Sequence, residues 1–156
     1  MTSSVEAKLE VLGLSLPPSK VWASANRTGA IEVGNLLFVS GHTPPRDFKD
    51  YDAIGKVGAE LTREQGRHAA LGCILGVLRS VKDAIGDLDR VERVVKLLGF
   101  VNSAPGFHQQ FAVIDGASDL LIELWGDNGV HARSAIGIAE LPRGRPVEIE
   151  AVFQLK

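Results

Sequence analysis

The residue types best suited to chemistry on a small acid lie near the end of the chain. From Val147 to Leu155 the sequence alternates, with Val147, Ile149, Ala151 and Phe153 on one face and Glu148, Glu150, Val152 and Gln154 on the other. The apolar set is expected to face a helical layer. The opposite face then carries two carboxylates beside a valine. If that face is solvated, the glutamates need no explanation. If another subunit covers it, each needs a cation or hydrogen bonds. Arg133 is an available cation, at the start of a strand expected to lie alongside. An arginine with a glutamate across a hairpin has two readings. One is a structural ion pair, the commoner arrangement on spacing alone. The other is a substrate clamp, in which the guanidinium grips a carboxylate in a bidentate fork and Glu148 handles a water or a proton.

Other constellations are weaker. Ser40-Gly41-His42 sets a hydroxyl near a base in sequence. Neighbours along a strand point to opposite faces, however, and the glycine can turn the chain, so adjacency does not make the two side chains meet. His42, His68, His108 and His131 lack the i,i+4 spacing of a helical zinc pair, and no metal site is expected. There is no phosphate-binding loop, dinucleotide fingerprint or Gly-x-Ser-x-Gly elbow. Cys73 falls on an apolar helix face and reads as inert core. Trp22 and Trp125 read as core or interface aromatics.

The elements that must position these residues follow from periodicity. Val5, Leu9 and Leu12 predict a short N-terminal helix that Gly13 stops. Leu14 to Lys20, with Pro17 and Pro18, reads as an extended connection. Ala30–Val33 and Leu36–Ser40 flank Gly34-Asn35, a pair suited to the positive φ of a two-residue hairpin turn. His42 to Val57 reads as a surface loop. Thr62-Arg63-Glu64-Gln65 matches a capping box, and the apolar face from Ala69 to Ile85 predicts a long helix ended by Gly86. Val91 to Val101 reads as a strand buried on both faces. Phe107 to Trp125 reads as helix, with a break expected at Asp115-Gly116. Strands at Arg133–Glu140 and Val147–Leu155 flank the turn-rich Leu141 to Pro146. This order predicts an α+β fold, with helices on one face of a mixed sheet.

Composition sets the outer bounds. The chain has 156 residues, 45% hydrophobic and 23% charged, enough for one domain with a core. A net charge of −2, without regular interleaving of aromatic and basic residues, gives no reason to expect a nucleic-acid partner. One cysteine allows no intramolecular disulfide. The polar start does not read as a secretory signal and no apolar run is long enough to span a membrane, so the cytoplasm is the expected compartment.

Three segments resemble the RidA/YjgF family. They are Val33 to Pro44, containing the glycine-asparagine hairpin and the following Ser40-Gly41; Ala132-Arg133-Ser134; and Leu141-Pro142 followed by Val147-Glu148-Ile149-Glu150-Ala151. Their order and spacing fit the family from about residue 29 to the end, with residues 1–20 as an N-terminal extension. The resemblance implies a single chorismate-mutase-like domain and a homotrimer with three equivalent clefts between subunits. Subunit contact would then cover the second face of the last strand. It also implies hydrolysis of reactive 2-enamine and 2-imine acids to 2-keto acids and ammonia, without a cofactor. Carried over, Arg133 would hold the substrate carboxylate and Glu148 would orient water and move protons. The backbone at Ser40-Gly41 would hydrogen-bond the imine.

The chain departs from that pattern at three places. Ala135 stands where active relatives carry a Cys or Ser that helps place the water. Arg27 aligns with a tyrosine that lines the cleft. Asp115 is the nearest candidate for an asparagine on the second long helix. Binding of a small carboxylate survives these changes better than catalysis, so a non-enzymatic trimer that binds such a metabolite is the alternative reading. An endoribonuclease is not favoured by the acidic charge balance.

Overall fold

In the computed structural model, which describes residues 4–46 and 53–156, the chain forms three helices and five strands. In order these are α1 (Ser4–Val11), β1 (Ala30–Val33), β2 (Leu36–His42), α2 (Arg63–Ile85), β3 (Val91–Asn102), α3 (Gln110–Trp125), β4 (Ala132–Ile138) and β5 (Val147–Leu155). The strands make one sheet in the order β1-β2-β5-β3-β4, with β3 and β4 parallel and every other pair antiparallel. The α+β architecture expected from the sequence is present.

Local chemistry accounts for the element ends. Gly34 takes a φ of 61° in the β1–β2 turn and Asn35 does not take a positive φ, the pattern of a turn with glycine first. At the start of α2, the Thr62 hydroxyl accepts from the Gln65 backbone N–H, and the Gln65 side chain accepts from the Thr62 N–H. Gly86 closes α2 with a φ of 83°. The expected break in α3 does not occur, and the helix begins at Gln110 rather than Phe107. Gly116 serves close packing instead, since a Cβ there would collide with the Arg67 carbonyl oxygen of α2.

The core lies between the sheet and the α2–α3 layer. Val147, Ile149, Ala151, Phe153 and Leu155 of β5 are all buried in it, as the alternation required. Cys73 is buried there too, with Sγ 3.4 Å from the Val147 carbonyl oxygen, and burial pushes its thiol pKa up.

Two expectations need correction. β3 is not buried on both faces within the chain: Val94, Leu97, Gly99 and Val101 meet the helices, while Lys96 is exposed and Leu98 and Phe100 are half-exposed. Nor is β4 hairpin-paired with β5, because β3 lies between them. The eight-residue connection between Ile138 and Val147 steps across β3, leaving β4 on the sheet edge through its parallel pairing. Arg133 is therefore not across a hairpin from Glu148.

The loop after β2 is irregular, and Arg145 ties its two described ends together by donating to the Pro44 and Ala53 carbonyls at 3.0 and 3.2 Å. The middle of the expected loop, residues 47–52, lies outside the described residues. No helix among the described residues is long and apolar enough to cross a membrane.

Candidate functional site

A bulge in β2 shapes the first cluster of candidate residues. Val39 opposes Ala151 and His42 opposes Ile149, so three steps on β2 match two on β5. The extra residue falls at Ser40-Gly41, and the Ser40 hydroxyl donates to the Thr28 carbonyl at 2.6 Å. Glu148 lies against Gly41 so closely that a Cβ there would collide with Oε1 and come within 2.9 Å of Cδ. The missing side chain is what admits the carboxylate. Burial raises the pKa of Glu148, Lys20 opposes that rise, and Glu150 adds to it.

Glu148, Ser40 and Gly41 open into a cleft of ≈ 830 Å³ beneath the Leu141–Pro146 connection, a size suited to a small molecule. Its charge is lopsided. Lys20, Arg27, Arg46, Arg79, Arg143 and Arg145 line it, with Glu148 as the one acidic residue among the described lining. Trp22 forms part of the wall, with Lys20 Nζ 4.1 Å and Arg27 Cζ 6.0 Å from its ring centre. Trp22 faces the cleft and is not part of the core, whereas Trp125 packs on the core beside Phe153.

His42 forms the floor without being a base. Its Nδ1–H donates to the Ser40 carbonyl at 2.6 Å, so Nε2, 2.8 Å from the Ser80 hydroxyl, accepts. Burial lowers its pKa to about 4 from the ordinary 6.5. Between those values the unfolded chain binds a proton that the folded chain refuses. Stability should therefore decline as pH falls below about 6.5 and level off below about 4, by about 3 kcal/mol in total from this group. An NMR titration of the ring checks this: His42 should stay neutral at pH 5, and titration near 6.5 would contradict it.

A separate cluster stands on the sheet edge. Arg133 faces α3, where Nη1 donates to Asp115 Oδ1 at 2.7 Å and to the Ser118 hydroxyl at 3.1 Å, and Nη2 reaches the Phe111 carbonyl at 3.4 Å. The Ser118 hydroxyl donates in turn to His131 Nε2 at 3.0 Å, and His131 Nδ1–H donates to the Gly129 carbonyl at 2.6 Å. Burial lowers the His131 pKa, which keeps Nε2 an acceptor. The ion pair of Arg133 is thus with Asp115. Its Nε–H has no partner among the described residues, and Nη2 makes only the 3.4 Å contact to the Phe111 carbonyl, so the Nε–Nη2 side of the guanidinium is the less engaged one for a carboxylate.

The structure brings Ser40, Gly41 and Glu148 together, and separately Arg133 and Asp115. Ala135, two positions beyond Arg133, is half-buried against the core. The two groups do not meet within the chain. Arg133 pairs with Leu97 while Glu148 pairs with Phe100, and the two side chains lie on opposite faces of the sheet. Two strand spacings and three residue steps put their backbones about 14 Å apart. Sequence reading did not find Lys20, Trp22, Arg143, Ser118 or His131 as site residues; the one available signal was Arg27 in place of an aromatic. Among the described residues, no group of three or more His, Cys, Asp or Glu side chains could hold a metal ion.

Over residues 19–154 the chain matches the protein family described as Endoribonuclease L-PSP. Protein TCP17 of Trypanosoma cruzi is 44% identical over 152 residues, covering 97% of this chain and 94% of that protein. A solved structure of a protein of unknown function from Agrobacterium tumefaciens is 40% identical with a TM-score of 0.88, over 97% of this chain and 93% of that one. The YjgF gene product of E. coli shares the fold, at 20% identity and a TM-score of 0.56 over 91% of this chain and 98% of that one.

Proposed function

Since the chain belongs to the endoribonuclease L-PSP family, also called YjgF/RidA, we propose that it hydrolyses reactive 2-enamine and 2-imine acids to 2-keto acids and ammonia, in clefts shared between neighbouring copies of a homotrimer. One observation carries this reading: the Glu148 carboxylate, desolvated and raised in pKa, rests on Gly41 inside a cleft of small-molecule size. A carboxyl group with a raised pKa exchanges protons with water and substrate more readily near neutral pH than an ordinary one.

The arrangement of the sheet supports the shared cleft. Arg133 and Glu148 sit on opposite faces and two strands apart, so one small acid touches both only if they come from different copies. The open face of the sheet suits such an assembly. Ile31, Phe38 and Ile136 are 58, 47 and 43% exposed there, and large apolar side chains left open on a sheet face favour burial against another chain.

In this reading the neighbour's Arg133 takes the substrate carboxylate through Nε–H and Nη2–H. Asp115 and the Ser118–His131 pair hold the guanidinium in orientation. Glu148 takes a proton from water as the water oxygen attacks the carbon of the protonated imine and the C=N π pair moves to nitrogen. Glu148 then gives that proton to the carbinolamine nitrogen; as ammonia leaves and the C=O bond forms, the hydroxyl proton passes to Glu148 and on to ammonia, which departs as ammonium. Nothing is oxidised or reduced, and much of the rate arises from positioning. The test is release of 2-keto acid and ammonia from an imine generated in situ by an amino-acid oxidase. Acceleration above the uncatalysed rate is expected; none across several precursors would overturn the hydrolase.

Ala135 favours a second reading, a trimer that binds a small carboxylate without turning it over, because it brings no hydroxyl or thiol to place a water. Binding of 2-keto acids without imine hydrolysis is its signature. The family's ribonuclease description is not adopted, because the cations gather in one small-molecule cleft of a chain with net charge −2 instead of forming a stripe.

A further inference from the structure

We propose that the cleft is built for acids carrying a second carboxylate, so that the preferred substrate is a 2-imino dicarboxylate. This rests on the carboxylate-binding part of the reading above.

The argument is one of surplus charge. A monocarboxylate imine needs one guanidinium, which Arg133 of the neighbouring copy provides, and a proton carrier, Glu148. The cleft holds more cations than that. Arg79 is paired with Asp83 at 2.6 Å, and Arg145 is committed to the Pro44 and Ala53 carbonyls. Lys20, Arg27 and Arg143 have no carboxylate partner among the described residues beyond the charge of Glu148, which Lys20 feels. The three come from separate parts of the chain and converge on one space. Lys20 and Arg27 are gathered there by the Trp22 ring. Arg143 is held at the rim by a left-handed backbone (φ 59°, ψ 23°), the one non-glycine positive φ among the described residues.

Without a ligand these cations repel one another. Burial lowers the Lys20 pKa first, and Arg27 and Arg143 lower it further against the pull of Glu148. A dianion relieves that repulsion and leaves Glu148 its proton-transfer role; a monoanion engaged by Arg133 does not.

The experiment compares a stable diacid, 2-oxoglutarate, with 2-oxopentanoate, a monoacid of the same chain length, by titration calorimetry on the full chain at low salt. The diacid should bind at least about tenfold more tightly. That preference should shrink about tenfold in Arg27→Ala and in Arg143→Ala, each verified by circular dichroism and oligomer mass. Imines made in situ from glutamate and norvaline should show the same order in kcat/KM. Equal affinity for the two acids, or a preference untouched by both variants, would overturn the inference. Diacid preference with no imine hydrolysed would support it while removing the hydrolase. Turnover of monocarboxylate imines without diacid preference would overturn it and leave the hydrolase standing.

Discussion

Replacing Arg133 by alanine is expected to weaken 2-keto acid binding by about 100-fold while the chain stays folded and oligomeric. The size follows from losing two charge-assisted hydrogen bonds to a carboxylate, together about 3 kcal/mol. The fold should tolerate the change. Arg133 is on an edge strand and reaches no further than α3, and Asp115 would keep Arg67, at 4.0 Å, as a cation. Arg133→Lys should recover little, because an ammonium cannot reproduce the planar fork held by Asp115 and Ser118. Calorimetric titration of both variants checks this, with oligomer mass recorded in parallel. Unchanged affinity in a well-folded Arg133→Ala protein would make the arginine purely structural.

The second large effect concerns Glu148. Glu148→Gln should lower kcat about 100- to 1000-fold while changing keto-acid affinity only a few-fold, because the amide fills the same space and cannot take a proton. The wild-type kcat/KM profile should show an acidic limb above the ordinary carboxylate range, in the direction of the raised Glu148 pKa. That limb should vanish in the glutamine variant. Gly41→Ala offers an independent route to the same result. Gly41 is not in the left-handed region that favours glycine, and the nearest atoms to an added Cβ are those of the Glu148 side chain, so the substitution acts by colliding with Glu148 and turning the carboxylate away. It should reproduce much of the kcat loss with Glu148 still present. Full activity in Gly41→Ala would show that the close approach does not matter, and weakened binding with intact turnover in Glu148→Gln would contradict its role.

The sequence made some of this plain and concealed the rest, for reasons particular residues illustrate. The alternation of β5, the Thr62 capping box and the Gly34 turn are local signals, and local physics decides them. The place of β4 is a long-range pairing. Chain order suggested a hairpin with β5, and nothing local in Arg133–Glu140 reports that β3 comes between. That error had a consequence: it put Arg133 across from Glu148, when its actual partner, Asp115, lies on α3. The Gly116 helix break failed similarly, because the glycine answers to a crossing helix and not to its own. The cationic cleft was hidden because Lys20, Arg27 and Arg143 are scattered in the chain and only the fold gathers them. The likeness to a known family reached the Ser40-Gly41 and Glu148 neighbourhood that composition and spacing alone did not.

The most direct measurement is the rate of ammonia and 2-keto acid release by Arg133→Ala and Glu148→Gln subunits, each alone and then refolded together in equal amounts. Alone, each should be nearly inactive. Mixed, they should recover roughly a quarter of wild-type activity, the fraction of clefts in which an intact Arg133 from one copy meets an intact Glu148 from the next. A mixture no more active than its components, beside an active wild type, would contradict a site shared between copies, and a wild type that releases no ammonia at all would contradict the hydrolase.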